Sequence, residues 1–196
     1  MTKEGENITI LYVEVLCPYN KQLGERVKMP FIYTLLYVAF IGILAHILGE
    51  AYPRNKINYE KFPLTPFSWE RGGEIYIKLG IKKWKDSLPD MSKVMKDMVP
   101  KKVRLNATSA DVERLILETC VAEITHVILC LVSPVIIFFW VDTSLAVGLL
   151  LTLIYTVCNI PFIMIQRFNR PNLMRLAERL SKREQRMKNE NSDTLV

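Results

Sequence analysis

Three uninterrupted apolar runs decide what this chain can become. Pro30 to Leu48, Thr119 to Val141 and Ser144 to Ile165 each supply roughly the 20 residues that a helix needs to cross about 30 Å of hydrocarbon. Inside a bilayer every backbone polar group must be satisfied within the protein, so runs of this length imply helices. The expectation is an all-α integral membrane protein with three transmembrane helices at about residues 30–48, 119–141 and 144–165. Interfacial amphipathic helices are expected on its cytoplasmic side.

Charge is segregated from these runs. Half of the 196 residues are hydrophobic, yet 26 are Lys or Arg and 20 are Asp or Glu, for a net charge of +6. The cations crowd between the first and second runs, from Arg54 to Arg104, and in the tail, from Arg167 to Lys188. Three crossings put both stretches on one side, and an excess of Lys and Arg marks that side as cytoplasmic. The expected location is therefore the plasma membrane, multi-pass, with a main loop (49–118) and C-terminus in the cytoplasm. Such a basic face attracts anionic headgroups at about 1 kcal/mol per residue. Nucleic acid is not needed as a partner to explain it.

Residues 29–188 read as the membrane domain and 189–196 as a disordered tail. Residues 1–28 have uncertain status: their charges balance, and Ile8 to Leu16 is a short strand-like run. The cysteines, Cys17, Cys120, Cys130 and Cys158, have no CxxC spacing and read as small buried hydrophobes, forming neither a disulfide framework nor a zinc site.

Within the loop, Trp69, Gly73, Tyr76 and Gly80 recur at helical intervals among cations, which suits one interfacial helix over 69–85, limited by Pro89. Thr108 and Asp111 form a capping-box pattern that predicts a helix running unbroken to Trp140, about 48 Å long. That helix carries Glu123 and His126, three residues apart on one face, in its first turns inside the bilayer. Ionisable groups there cost several kcal/mol unless partnered, and by default they mark function. The plainer alternative is that the two satisfy each other and pin helix packing.

The third run offers a matching stripe, Tyr155, Asn159, Gln166 and Arg170, expected to face the first. Pro161 frees the carbonyl of Val157 for another partner. Arg167, Asn169, Arg170 and Pro171 follow. Then comes a cationic tail helix, 172–188, whose apolar edge of Leu173, Leu176, Ala177 and Leu180 suits a membrane surface. Arginine forks suit phosphate or carboxylate; plain membrane anchoring is the alternative.

Several quoted stretches resemble the glycosyl-4,4′-diaponeurosporenoate acyltransferase family of the staphyloxanthin pathway. They are Ile116 to Thr119 with Ala122 to His126, and Asn159 to Leu173, joined by Phe67, Glu70, Gly73 and Lys83-Trp84-Lys85. The likeness covers roughly Met29 to Arg183 in the same order. It implies a bacterial membrane O-acyltransferase that esterifies a sugar hydroxyl of a glycosylated lipid, with a lipid acceptor and an acyl donor as its partners. No bound cofactor is implied; acyl-CoA is the expected co-substrate. A homodimer is the oligomer to look for, because three spans are few to enclose a long lipid.

On that reading His126 is the general base and Glu123 holds its tautomer. Asn159, Gln166, Arg167, Asn169 and Arg170 bind substrate or the oxyanion. Glu70, Arg71, Lys83, Trp84 and Lys85 bind the donor or a headgroup. Competing chemistries lack parts: there is no GxSxG elbow, and the two histidines, His46 and His126, cannot supply the paired Glu-x-x-His motifs of a carboxylate-bridged metal centre. Two other readings stay open, another lipid-modifying enzyme such as a methyltransferase or reductase, and a non-enzymatic membrane partner subunit.

Overall fold

The computed structural model describes residues 17–88 and 107–193, and these are all-helical, with no strands among them. Three helices are long and apolar enough to cross a membrane: Glu25–Ala51, Ser109–Trp140 and Leu145–Glu190. The Ile8 to Leu16 run and Pro89 lie outside the described residues.

Helix α1 (Cys17–Ala51) starts before the first apolar run and carries Pro30 in its interior. Proline there forfeits one backbone bond, but the carbonyl it leaves behind, that of Arg26, lies at the polar end of the span where water can reach it. At the other end, the Arg54 guanidinium donates to the carbonyls of Gly49, Glu50 and Tyr52 at 2.7, 2.8 and 2.7 Å, collecting the orphan acceptors of the last turn. The same guanidinium pairs with Glu118 at 3.0 Å, which ties the end of α1 to the next span.

The segment after α1 is not one interfacial helix. It is a chain of short pieces: a 3-10 turn at Ser68–Gly73, α2 (Glu74–Lys78), α3 (Ile81–Trp84) and a 3-10 turn at Lys85–Ser87. The breaks fall at Arg71, Gly72, Gly73 and Gly80, all at positive φ (48°, 64°, 102° and 72°). A right-handed helix cannot continue through left-handed residues, so the helical spacing of Trp69, Gly73, Tyr76 and Gly80 is coincidental. Tyr76 is buried instead of lying at a membrane surface. It packs with Ile81, Ile165 and Phe168 into a small core that Trp84 joins.

Helix α4 (Ser109–Val132) opens with the expected capping box. The Thr108 N–H donates to Asp111 Oδ2 at 2.9 Å, and the Asp111 N–H donates to Thr108 Oγ1 at 3.2 Å. It does not run unbroken to Trp140. Ser133 and Pro134 interrupt it, because proline lacks the N–H that would reach the Cys130 carbonyl. The Ser133 hydroxyl takes that carbonyl at 2.8 Å, and the chain resumes as α5 (Val135–Trp140).

Helix α6 (Leu145–Asp193) is a single 49-residue rod, about 74 Å long, that passes through Pro161 and Pro171. The third span and the expected separate tail helix are therefore one element, which extends into residues 189–193 of the expected disordered tail. The tail's apolar edge does not lie on a membrane surface either. Leu173, Leu176, Ala177 and Leu180 pack against Val112 and Ile116 of α4. Glu184 accepts from the Ser109 N–H and hydroxyl at 2.8 and 2.6 Å, clasping the start of α4.

Helices α4 and α6 thus form a long antiparallel pair, and α1 leans on its far end. There Trp140 Nε1 donates to Thr34 Oγ1 at 2.9 Å, and the Tyr37 hydroxyl donates to the Val132 carbonyl at 2.8 Å. Of the cysteines, Cys120 is buried as expected, whereas Cys158 is exposed on the outer face of α6.

The α5–α6 corner is tight. A Cβ on Gly148 would sit 2.9 Å from the Trp140 Cβ and 3.2 Å from the Ile137 Cα. Gly148→Ala is therefore expected to destabilise the hairpin by about 1–3 kcal/mol through overpacking, despite alanine's better helix propensity. A melting temperature in detergent at or above wild type would contradict that packing.

Candidate functional site

The antiparallel pairing of α4 and α6 sets the polar stripe of one span against that of the other, at the end of the pair nearer the basic loop. Glu123, 6 % exposed, faces two arginines from α6. Arg167 Nη1 donates to Glu123 Oε1 at 2.5 Å, and Arg170 Nη2 lies 2.6 Å from Glu123 Oε2. Arg167 and Arg170 are 7 % and 1 % exposed, so these charges are as buried as the core around them.

A second carboxylate completes the set, and it comes from the loop. Glu70, 1 % exposed, forms an ion pair with Arg167 through Nε. Its other contacts are the Phe67 N–H at 2.9 Å and the Tyr76 hydroxyl at 2.6 Å. Burial and the neighbouring Glu70 carboxylate push the Tyr76 phenol up, which keeps it a donor to Glu70. Glu70, expected among the donor- or headgroup-binding residues, is a central partner of the buried cluster.

Carbonyls of the loop accept from both arginines. Arg167 donates to Pro63 and Thr65, both at 3.2 Å, and Arg170 donates to Leu64 at 2.5 Å. Arg170 Nε also reaches Thr119 Oγ1 at 3.0 Å. The Arg167 guanidinium lies 4.0 Å above the centre of the Phe67 ring. Two arginines and two glutamates make the cluster formally neutral; Glu123 Oε2 and Arg170 Nη2 meet as an ion pair without hydrogen-bond geometry.

His126 lies one turn further along α4, and a residue of α6 meets its ring. The atom opposite His126 Nδ1 is Asn159 Oδ1, at 2.9 Å. Asn159 Nδ2 donates to the Tyr155 carbonyl at 2.9 Å, so Oδ1 is the acceptor. In the neutral imidazole this places the proton on Nδ1 and leaves the lone pair on Nε2. Phe162 stacks on the ring with centroids 4.7 Å apart and planes 11° from parallel.

Beside the cluster lies a cleft of about 480 Å³, walled by Pro63, Phe67, Tyr76 and Leu79 from the loop, Val127 from α4, and Ile163 and Met164 from α6. Glu123 and Arg167 are its charged lining residues, and the rest of the lining is apolar but for the Tyr76 hydroxyl. A hydrocarbon chain with its polar end at Glu123 and Arg167 fits this distribution.

The other expected site residues fall into separate places. Gln166 is buried and Asn169 half-buried beside the arginines, with no hydrogen bond joining them to the cluster among the described residues. Arg71 and Lys83 are exposed, Trp84 packs in the core around Tyr76, and the Lys85 ammonium sits 5.8 Å above Phe168. Tyr76 and Phe67 are additions. A signal for Glu70 was available: two arginines at the end of a span need two carboxylates, and Glu123 supplies one. No group of three or more His, Cys, Asp or Glu residues able to hold a metal occurs among the described residues.

A family model described as glycosyl-4,4′-diaponeurosporenoate acyltransferase matches residues 58–179, which include every member of the ion cluster. The glycosyl-4,4′-diaponeurosporenoate acyltransferases of Staphylococcus aureus strains bovine RF122 / ET3-1 and MRSA252 are 26 % and 27 % identical to this chain over 168 residues. The match covers 85 % of this chain and 98 % of each relative. No solved structure matches.

Proposed function

The chain belongs to the glycosyl-4,4′-diaponeurosporenoate acyltransferase family and is an enzyme of that type, and from that premise we propose that it transfers a fatty acyl group from acyl-CoA to a sugar hydroxyl of a glycosylated lipid. The observation that carries this reading is the apolar cleft ending at Glu123 and Arg167, a place for a lipid chain with its polar end among charged donors and acceptors.

His126 Nε2 takes the proton of the attacking hydroxyl, whose oxygen bonds to the thioester carbon. Arg167, whose N–H groups are engaged by Glu70, Glu123, Pro63 and Thr65, stabilises the oxyanion through its positive charge. Collapse breaks the C–S bond, and the imidazolium returns the proton to the departing thiolate, so no other reactant is needed. Glu123 is a poorer choice of base, because both its oxygens already face guanidinium groups. Its role is to hold Arg167, while Asn159 positions the imidazole. Arg170 and Gln166 support that face of α6.

The exposed Arg71, Lys82 and Lys83 suit the phosphates of acyl-CoA, which is made in the cytoplasm. The excess of basic residues in the loop and tail supports a cytoplasmic location for both, and with it a single membrane acyltransferase domain over residues 29–188.

The test is direct. Purified protein in nanodiscs receives radiolabelled acyl-CoA and glycosyl-4,4′-diaponeurosporenoate or host glycolipid. A labelled glycolipid that loses its label to mild alkali is expected. Label transferred from a phospholipid but not from acyl-CoA overturns the donor assignment; no transfer from any donor overturns the function.

A further inference from the structure

The cleft has a side entrance. Its wall reaches Val127, four residues and about 6 Å along α4 from Glu123 toward the apolar middle of the span, and Val127 is 38 % exposed. Beyond it Ile128, Leu131 and Ile160 are also exposed, which marks this flank of the α4–α6 pair as lipid-facing. The opposite rim is the loop, where Trp69 and Leu79, both cleft-lining, are 56 % and 57 % exposed.

These two belong to a larger ledge. Phe62 is 80 % exposed and Ile77 46 %, an unusual set of large apolar side chains on a segment outside the spans. The depth of the ledge is fixed by the ion pair of Glu70 with Arg167, two residues past the apolar run ending at Ile165. That pair holds the loop where hydrocarbon gives way to headgroups. Exposed cations, Lys61, Arg71, Lys78, Lys82 and Lys83, share the same segment and complement anionic headgroups.

We propose that the cleft is a lateral portal: the lipid acceptor slides its chain in from the adjoining leaflet, between Val127 and the Trp69–Leu79 rim, while Phe62 and Ile77 seat the loop in that leaflet. The hydrocarbon never crosses water, and only the headgroup meets the charged end of the cleft. The nature of the passenger rests on the acyltransferase reading; the contact of the ledge with lipid does not.

Two measurements separate these. Wild-type protein and Trp69→Phe are placed in nanodiscs of phosphatidylglycerol brominated at shallow or deep acyl positions. The fluorescence difference between them isolates Trp69, which is expected to be quenched several-fold more by shallow bromines than by aqueous iodide. Stronger quenching by iodide than by either bromolipid overturns the ledge. Phe62→Asp, outside the cleft lining, is then expected to raise KM for the embedded glycolipid about tenfold with kcat nearly unchanged, and to leave turnover of a short-chain soluble glycoside intact. An equal fall on both substrates overturns the portal. Absence of turnover in wild type refutes the acyltransferase reading, and the quenching result still decides whether the ledge meets lipid.

Discussion

Replacing Arg167 by methionine is expected to be the most damaging single change in this protein, lowering stability by about 3–5 kcal/mol and abolishing acyl transfer. The side chain closes ion pairs with Glu70 and Glu123, donates to the carbonyls of Pro63 and Thr65, and covers the Phe67 ring. Methionine keeps the volume but leaves Glu70 buried without its counter-charge and Glu123 with Arg170 alone. The loop would lose its main attachment to α6, and the cleft its outer wall. Thermal unfolding in detergent reads the first effect, product formation the second. Neutralising only the carboxylate left without a counter-charge, in Arg167→Met/Glu70→Gln, should recover much of the melting temperature and none of the activity, because Glu123 keeps Arg170 as its partner. A single Arg167→Met protein that melts with wild type would show that the network holds nothing together.

His126→Ala carries the largest expected effect on rate with the smallest on folding. Positioned general bases contribute typically 10²–10⁴-fold, and a loss in that range is expected in kcat, with KM for acyl-CoA little altered. The half-buried ring stacks on Phe162 and hydrogen-bonds Asn159, so the melting temperature should fall less than in Arg167→Met. Asn159→Ala should give a smaller loss of kcat, because it frees the tautomer without removing the base. Wild-type turnover in His126→Ala, with esterification otherwise demonstrated, would exclude the imidazole and direct attention to Glu123.

The spans were legible because membrane thickness leaves a helix few options, and the two polar stripes because any charge placed among those residues is conspicuous. Partner choice was not legible. Glu123 and His126 share a helix face, and spacing alone cannot tell whether a side chain turns to its own helix or across to another; here Arg167, Arg170 and Asn159 win from α6. Glu70 lies 97 residues from Arg167 in sequence, and its burial depends on how an irregular loop folds back. The prolines misled in both directions. Pro171, after which the sequence suggests a separate tail helix, sits inside one rod, whereas Pro134, within an apolar run that reads as continuous, divides α4 from α5. In each case the surroundings decide whether the lost backbone bond can be replaced, as the Ser133 hydroxyl does for the Cys130 carbonyl.

The ion cluster also imposes an order on how the protein is made. Glu123 leaves the ribosome 44 residues before Arg167, a gap of roughly 2–9 seconds at about 5–20 residues per second. During that interval the second span must leave the insertion channel carrying a carboxylic acid whose counter-ions do not yet exist. Its apolar remainder has to offset a penalty of about 3 kcal/mol unaided. The third span then docks onto a partner that is already waiting. Newly made protein should therefore pass through a stage, with two spans inserted and one carboxyl unpaired, that membrane proteases and chaperones can recognise.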